Sequence, residues 1–154
     1  MSWEEKSTGA LRRDTPDQHE LMDLVIDANI LFAALIKDSF TAELLLDEGI
    51  GLFAPEYLLE EFYEHREEIL EKTKRIRQGF DSMFRDIKSL ITVVPERELE
   101  EFMDRAREIS PDPDDAPYFA LALKLGCAVW SNEKALQQQK IIKIYTTEEL
   151  SRLR

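Results

Sequence analysis

The chain has 154 residues, of which 44% are hydrophobic and 34% charged, with 5 Gly and 6 Pro. That is enough chain for one core, too apolar for a disordered sequence and too poor in Gly and Pro for a fibrous or low-complexity one. The 32 acids against 20 bases leave a net charge of -12, which repels polyanions at long range unless a local basic patch or bound divalent cations invert the field at the contact. The single cysteine, Cys127, excludes an internal disulfide and any zinc site needing two thiolates, so a metal is expected to be held by oxygen. No apolar run approaches the roughly 18 residues of a membrane span. The stretch MSWEEKSTGALRRDTPDQHE is charged where a signal peptide needs an apolar core, and a cytoplasmic protein with no membrane attachment is expected.

Residues 1–20 are polar, include Pro16 and show no apolar periodicity; a flexible or loosely docked arm is expected there, followed by a single domain over 21–154. Leu21–Asp27 (LMDLVID) is a short, branched apolar run closed by an acid, the form of a buried strand, and Asn29–Ile36 reads as a helix. A second helix is expected from a cap at Asp38 or Ser39 through Glu48, ending at Gly49. Ile50–Ala54 is the second strand. After Pro55, YLLEEFYEHREEILEKTKR continues past Gly79 into FDSMFRDIKSL and predicts two helices. Ile91–Val94 is the third strand, stopped by Pro95, and Glu96–Ile109 a helix; the acidic turn SPDPDD then leads into APYFALALKLG, a helix ending at Gly126. Cys127–Ser131 and Ile141–Tyr145 are the fourth and fifth strands, and Thr146 or Thr147 caps a C-terminal helix. Strands separated by helices predict an α/β fold, a three-layer α/β/α sandwich around a mostly parallel sheet of four to five strands.

In open parallel sheets ligands sit beyond the carboxyl ends of the strands, so the acids just after strands carry the interest. Asp27 closes the first strand, and Glu133 follows the fourth with Ser131 and Asn132 before it. Asp112, Asp114 and Asp115 precede the helix that feeds the fourth strand, and the three acidic sites are expected to converge. Asp115, ahead of Ala116 and Pro117, also suits a helix cap, with Asp114 as a solvated or capping neighbour. Asp27 is harder to place structurally, because a carboxylate at the end of an apolar strand is costly unless paired, hydrogen-bonded or metal-bound. Asn29 either bonds across the turn or caps the following helix. On the long helix Leu58, Leu59, Phe62, Tyr63, Ile69 and Leu70 form the buried stripe; Glu60 and Glu61 flank it on either edge, and periodicity does not choose between them.

The runs LVIDANILFAAL, APEYLLEEFYEHREEI and SPDPDDAPYFALALKLGCAVWSNEKAL together resemble the motifs of PIN domains. In that family a strand ends in Asp with Asn two residues later, a Glu lies on the helix after the second strand, and an Asp precedes a helix bearing small residues. A strand ending in Trp-Ser or Trp-Thr before another acid completes the set. The likeness spans residues 21–145 and lies in the order and spacing of all the pieces. It implies metal-binding acids at Asp27, Glu61 (directly before Phe62) and Asp115, an accessory acid at Asp112, and a further ligand at Glu133, where the family usually has Asp. The extra methylene of Glu133 is expected to hold a second ion weakly.

Clustered carboxylates, with no thiolate pair and only His19 and His65, favour one or two hard cations, Mg²⁺ or Mn²⁺. The resemblance implies an endoribonuclease that hydrolyses single-stranded or structured RNA by metal-activated water, either as a toxin paired with an antitoxin protein or as an RNA-processing factor. It is compatible with a homo-oligomer. Glu133 motivates an alternative, a catalytically degenerate module that binds RNA or a protein partner. Asn29, Ser131 and Asn132 are candidates for orienting the cluster. Lys72, Lys74, Arg75 and Arg77 form a basic island beyond the acidic helix, a candidate RNA contact, while Trp130 and Cys127 are expected in the core.

Overall fold

Five short strands, β1 (Met22–Ile26), β2 (Ile50–Pro55), β3 (Ile91–Val94), β4 (Ala128–Trp130) and β5 (Ile144–Tyr145), form one sheet in the order β3-β2-β1-β4-β5, with every pairing parallel. The computed structural model describes residues 21–36, 39–73 and 77–154; the arm expected over residues 1–20 lies outside them. The helices among the described residues are α1 (Ala28–Ile36), α2 (Ser39–Leu45), α3 (Glu56–Thr73), α4 (Arg77–Lys88), α5 (Glu100–Ile109), α6 (Ala116–Leu125) and α7 (Thr147–Leu153). Leu24, Val25 and Ile26 are all fully buried. Successive strand residues point to opposite faces, so helices cover both sides of β1 and the architecture is the expected α/β/α sandwich. None of the described helices is long and apolar enough to cross a membrane.

The strand order places the site. From β1 the chain runs outward to β2 and β3, then returns through α5 and α6 to lay β4 on the other edge of β1. The order therefore reverses between β1 and β4, the kind of switch point at which a crevice opens beyond the carboxyl ends. Ile26 pairs with Trp130, the last residues of their strands, so Asp27 and Ser131 leave the sheet side by side. Helix ends are sharply defined nearby. Gly126, at φ 66, takes the left-handed turn that stops α6. A reciprocal pair between Thr146 and Glu149 starts α7.

Several expected boundaries differ. The strand over Ile141–Tyr145 is reduced to Ile144–Tyr145, because the Gln139 side chain takes the Ile141 and Ile142 amides at 2.9 and 2.8 Å and donates to the Leu136 and Ile142 carbonyls. Those backbone groups are satisfied without a ladder. Helix α2 stops at Leu45 rather than Glu48: the Leu46 and Asp47 amides tighten onto Glu43 and Leu44, and the Asp47 carboxylate accepts from Gly49 and pairs with Arg154. The helix expected from Glu96 begins as a 3₁₀ turn (Glu96–Leu99) before α5. Gly79 lies inside α4, and residues 74–76 lie outside the described residues. Tyr63, expected in the buried stripe, is 56% exposed. It lies edge-on to Phe62 and Phe84, whose rings stack at 3.8 Å between α3 and α4.

Candidate functional site

A cavity of about 260 Å³ opens at the switch point and is lined by Asp27, Glu61, Asp112, Asp114, Asp115 and Glu133, together with Asn29, Phe32, Tyr57, His65 and Tyr118. No Lys or Arg among the described residues lines it. Asp27 is only 4% exposed. Its Oδ1 accepts the Ile30 amide at 3.1 Å, so it serves as the cap of α1, and the Ser131 hydroxyl donates to it from the end of β4. Burial pushes its carboxyl up to about 6; the two hydrogen bonds oppose this, and the charges of Glu133 and Glu61 add to it.

Asp115 stands at the cap position of α6, but its side chain makes no cap bond. Pro117 removes one of the amides such a cap would use. Asp112 caps the preceding 3₁₀ turn (Pro113–Asp115), its Oδ1 accepting the Asp114 amide at 3.0 Å. The Asp115 carboxylate is thereby left to the cleft, where burial first, then Glu133, Asp112, Asp27 and Glu61, push it up to about 7. From α3, Glu61 reaches the same cavity and accepts the Tyr118 hydroxyl at 2.5 Å. Burial raises its carboxyl as well, against the lowering effect of that bond and of His65. Glu60 is exposed and lies off the lining. The rotation of α3 against α6 thus makes the choice that periodicity leaves open.

Glu133 is tied at both ends: its amide donates to Ser131 Oγ at 3.1 Å, and its Oε2 accepts Asn29 Nδ2 at 2.8 Å. Asn29 therefore bonds across the site rather than capping α1. Ser131, fully buried, touches both Asp27 and Glu133. Asn132 is turned elsewhere; its side chain clasps Thr147 through two bonds of 2.8 and 3.0 Å and fastens β4 to α7. Trp130 is a core residue whose indole also donates to Thr147. Of the basic island, Lys74 and Arg75 lie outside the described residues, Arg77 opens α4, and Lys72 is exposed and paired with Glu68 at 3.4 Å.

Reading the sequence for acids misses the cleft's rings. His65 lies four residues after Glu61 and Tyr118 three after Asp115, spacings that share a helix face and could have marked both. The His65 ring meets Phe32 edge-on at 6.0 Å, and Tyr57 meets Tyr118 at 6.1 Å.

The six carboxylates of the cleft meet no Lys or Arg among the described residues, and burial first, with the charges of their neighbours adding to it, raises Asp27, Glu61 and Asp115. The donor set, almost wholly carboxylate oxygen, fits a hard divalent cation. Among the described residues no three His, Cys, Asp or Glu side chains are gathered into a ready ligand set. The fit is therefore to an ion that keeps several waters, as Mg²⁺ does, rather than to one caged by protein.

The family model of the PIN domain matches residues 25–153. The chain belongs to the PIN domain family. PIN domains are generally nucleases and generally use divalent metal ions. This PIN domain resembles a chain in a toxin-antitoxin complex from Klebsiella pneumoniae at 13% identity and a TM-score of 0.57, covering 80% of this chain and 97% of that one. It resembles a Pyrobaculum aerophilum protein known from its crystal structure at 19% identity and a TM-score of 0.59, covering 90% of this chain and 98% of that one. At these identities the likeness shows the fold. A search of curated proteins gives no significant match.

Proposed function

We propose that this PIN domain is a divalent-metal-dependent endoribonuclease acting in the cytoplasm on single-stranded or structured RNA. The observation that carries the reading is the meeting of carboxylates from the ends of β1 and β4, from α3 and from the turn before α6 in one cleft that no Lys or Arg among the described residues lines. Asp27, Glu61 and Asp115, with Asp112 and Glu133, would hold one or two Mg²⁺ or Mn²⁺ ions. Such an ion supplies an acidified water and charge stabilisation for the leaving oxygen of an in-line displacement. The chain's own groups set the geometry. Ile30 and Ser131 hold Asp27, Tyr118 aims Glu61, and Asn29 with Ser131 holds Glu133. The Klebsiella relative comes from a toxin-antitoxin complex, which favours a toxin role with an antitoxin protein as partner here too.

Glu133, standing where the family usually has Asp, favours a second reading, a degenerate module that binds RNA or protein without cutting. Cleavage of single-stranded RNA by purified protein separates the two. The nuclease reading expects Mn²⁺-dependent products that vanish with EDTA and in Asp27→Asn. Cleavage indifferent to both sinks it.

A further inference from the structure

A second cavity of about 340 Å³ lies along the same sheet edge as the acidic cleft. Pro55 and Val94 end β2 and β3 in register, so Glu56 and Pro95 leave the sheet together, and the Glu56 carboxylate accepts the Glu96 amide at 2.7 Å. The hollow above them has an apolar floor of Pro55, Leu99, Met103 and Pro117, with Arg97 and Arg107 at its rim. Tyr57 lines both this hollow and the acidic cleft, held edge-on against Tyr118. The two cavities are therefore neighbours, one above β1 and β4, the other above β2 and β3, sharing a single aromatic wall.

We propose that this hollow binds the nucleotide adjoining the scissile phosphate of a single-stranded RNA, an inference that rests on the nuclease reading of the cleft. Its volume suits a single nucleotide, at the lower end of small-molecule sites. The face of Tyr57 and the apolar floor take a base, which stacks on aromatic surface whatever its identity. Arg97 forms no ion pair among the described residues. Arg107 is paired only with Asp104 in an exposed contact at 3.0 Å, which costs little to give up for a phosphate. Three acids, Glu56, Glu96 and Glu100, also line the hollow, with Glu56 accepting the Glu96 amide, so a phosphate contact there falls to the two arginines and not to the net charge. Among the described residues the acidic cleft has no guanidinium of its own, whereas Arg97 and Arg107 line the hollow that shares Tyr57 with it.

The test is fluorescence anisotropy with a short labelled oligouridylate in Ca²⁺, across a salt series, alongside Mn²⁺-dependent cleavage of the same probe. Arg97→Ala/Arg107→Ala should bind about tenfold more weakly, with a salt slope shallower by about 1 to 2. Tyr57→Ala should weaken binding similarly, and Tyr57→Phe, which keeps the ring face, should restore it. Parent-like affinity and slope in the arginine variant, with cleavage intact, overturn the subsite and leave the nuclease. Weakened binding in that variant by a protein that never cleaves removes the nuclease and overturns the subsite as stated, leaving a nucleotide site with no scissile phosphate beside it. If the parent does not bind the probe at all, the subsite falls whatever the cleavage assay shows, and the hollow is better read as a contact for a protein partner.

Discussion

The Tyr118 hydroxyl donates to Glu61 at 2.5 Å, joining the helix that follows Asp115 to the helix that carries Glu61. Two cleft carboxylates reached from distant parts of the chain are thus held in fixed relation by one phenol, itself largely buried, with its own ionisation pushed up by that burial and by Glu61. Tyr118→Phe keeps the ring and deletes the bond. It should cost about 1 kcal/mol in urea unfolding without metal, and weaken Mn²⁺ binding several-fold by calorimetry. A loss of stability with unchanged Mn²⁺ affinity would mean that Glu61 needs no aiming.

Asp27→Asn should behave oppositely in the two assays, losing cleavage while gaining stability. The Asp27 carboxyl is raised from 3.8 to about 6 by burial in the folded protein, so the fold favours its protonated form. The contribution is fully present below the unfolded value and is lost as pH rises through about 6. In EDTA the variant should therefore match its parent near pH 4 and exceed it above pH 7, by on the order of 1 to 3 kcal/mol. Parallel stability curves across that range would contradict the buried charge.

Mn²⁺ should raise the melting temperature, since an ion that binds only the folded cleft stabilises it by mass action and relieves the repulsion among its acids. Protons compete for the same oxygens. Asp115 and Asp27 take them up near 7 and 6, so Mn²⁺ affinity should fall steeply as pH drops through that interval. A flat affinity between pH 8 and pH 5 would place the ion away from these two residues.

Glu133→Asp tests whether the longer acid is a defect or a fit. Its Oε2 reaches Asn29 Nδ2 at 2.8 Å, and one methylene less withdraws the carboxylate by about 1.5 Å, breaking that bond. Shortening should lower both Mn²⁺ affinity and cleavage, and Asn29→Ala should mimic it. A gain in either quantity would show the family's usual Asp to be the better ligand on this backbone.

Much of this molecule is readable from residue order because its central strands are short apolar runs ending at acids. Leu24 to Asp27 announces both a core strand and a costly carboxylate. What escapes reading is decided by side chains that replace backbone partners or rotate a helix. Gln139 consumes the amides that would have lengthened β5, and Asp115, at the cap position of α6 with Pro117 in its first turn, makes no cap bond. Glu61 is separated from Glu60 only by how α3 lies against α6. Tyr57 and His65 are ordinary helix residues until the sheet edge sets them beside the acids.

The seat of β4 against β1 has a consequence for the nascent chain. During synthesis β1, β2 and β3 emerge first and can pair, while the other edge of β1 waits for Ala128–Trp130. Ser131, which holds Asp27, and Glu133 arrive later still. An unfinished polypeptide therefore lacks the wall of the cleft that the ribosome makes last. A protein proposed to cut RNA is translated on a machine built of RNA, and this topology delays assembly of its site until β4 and Glu133 have been made.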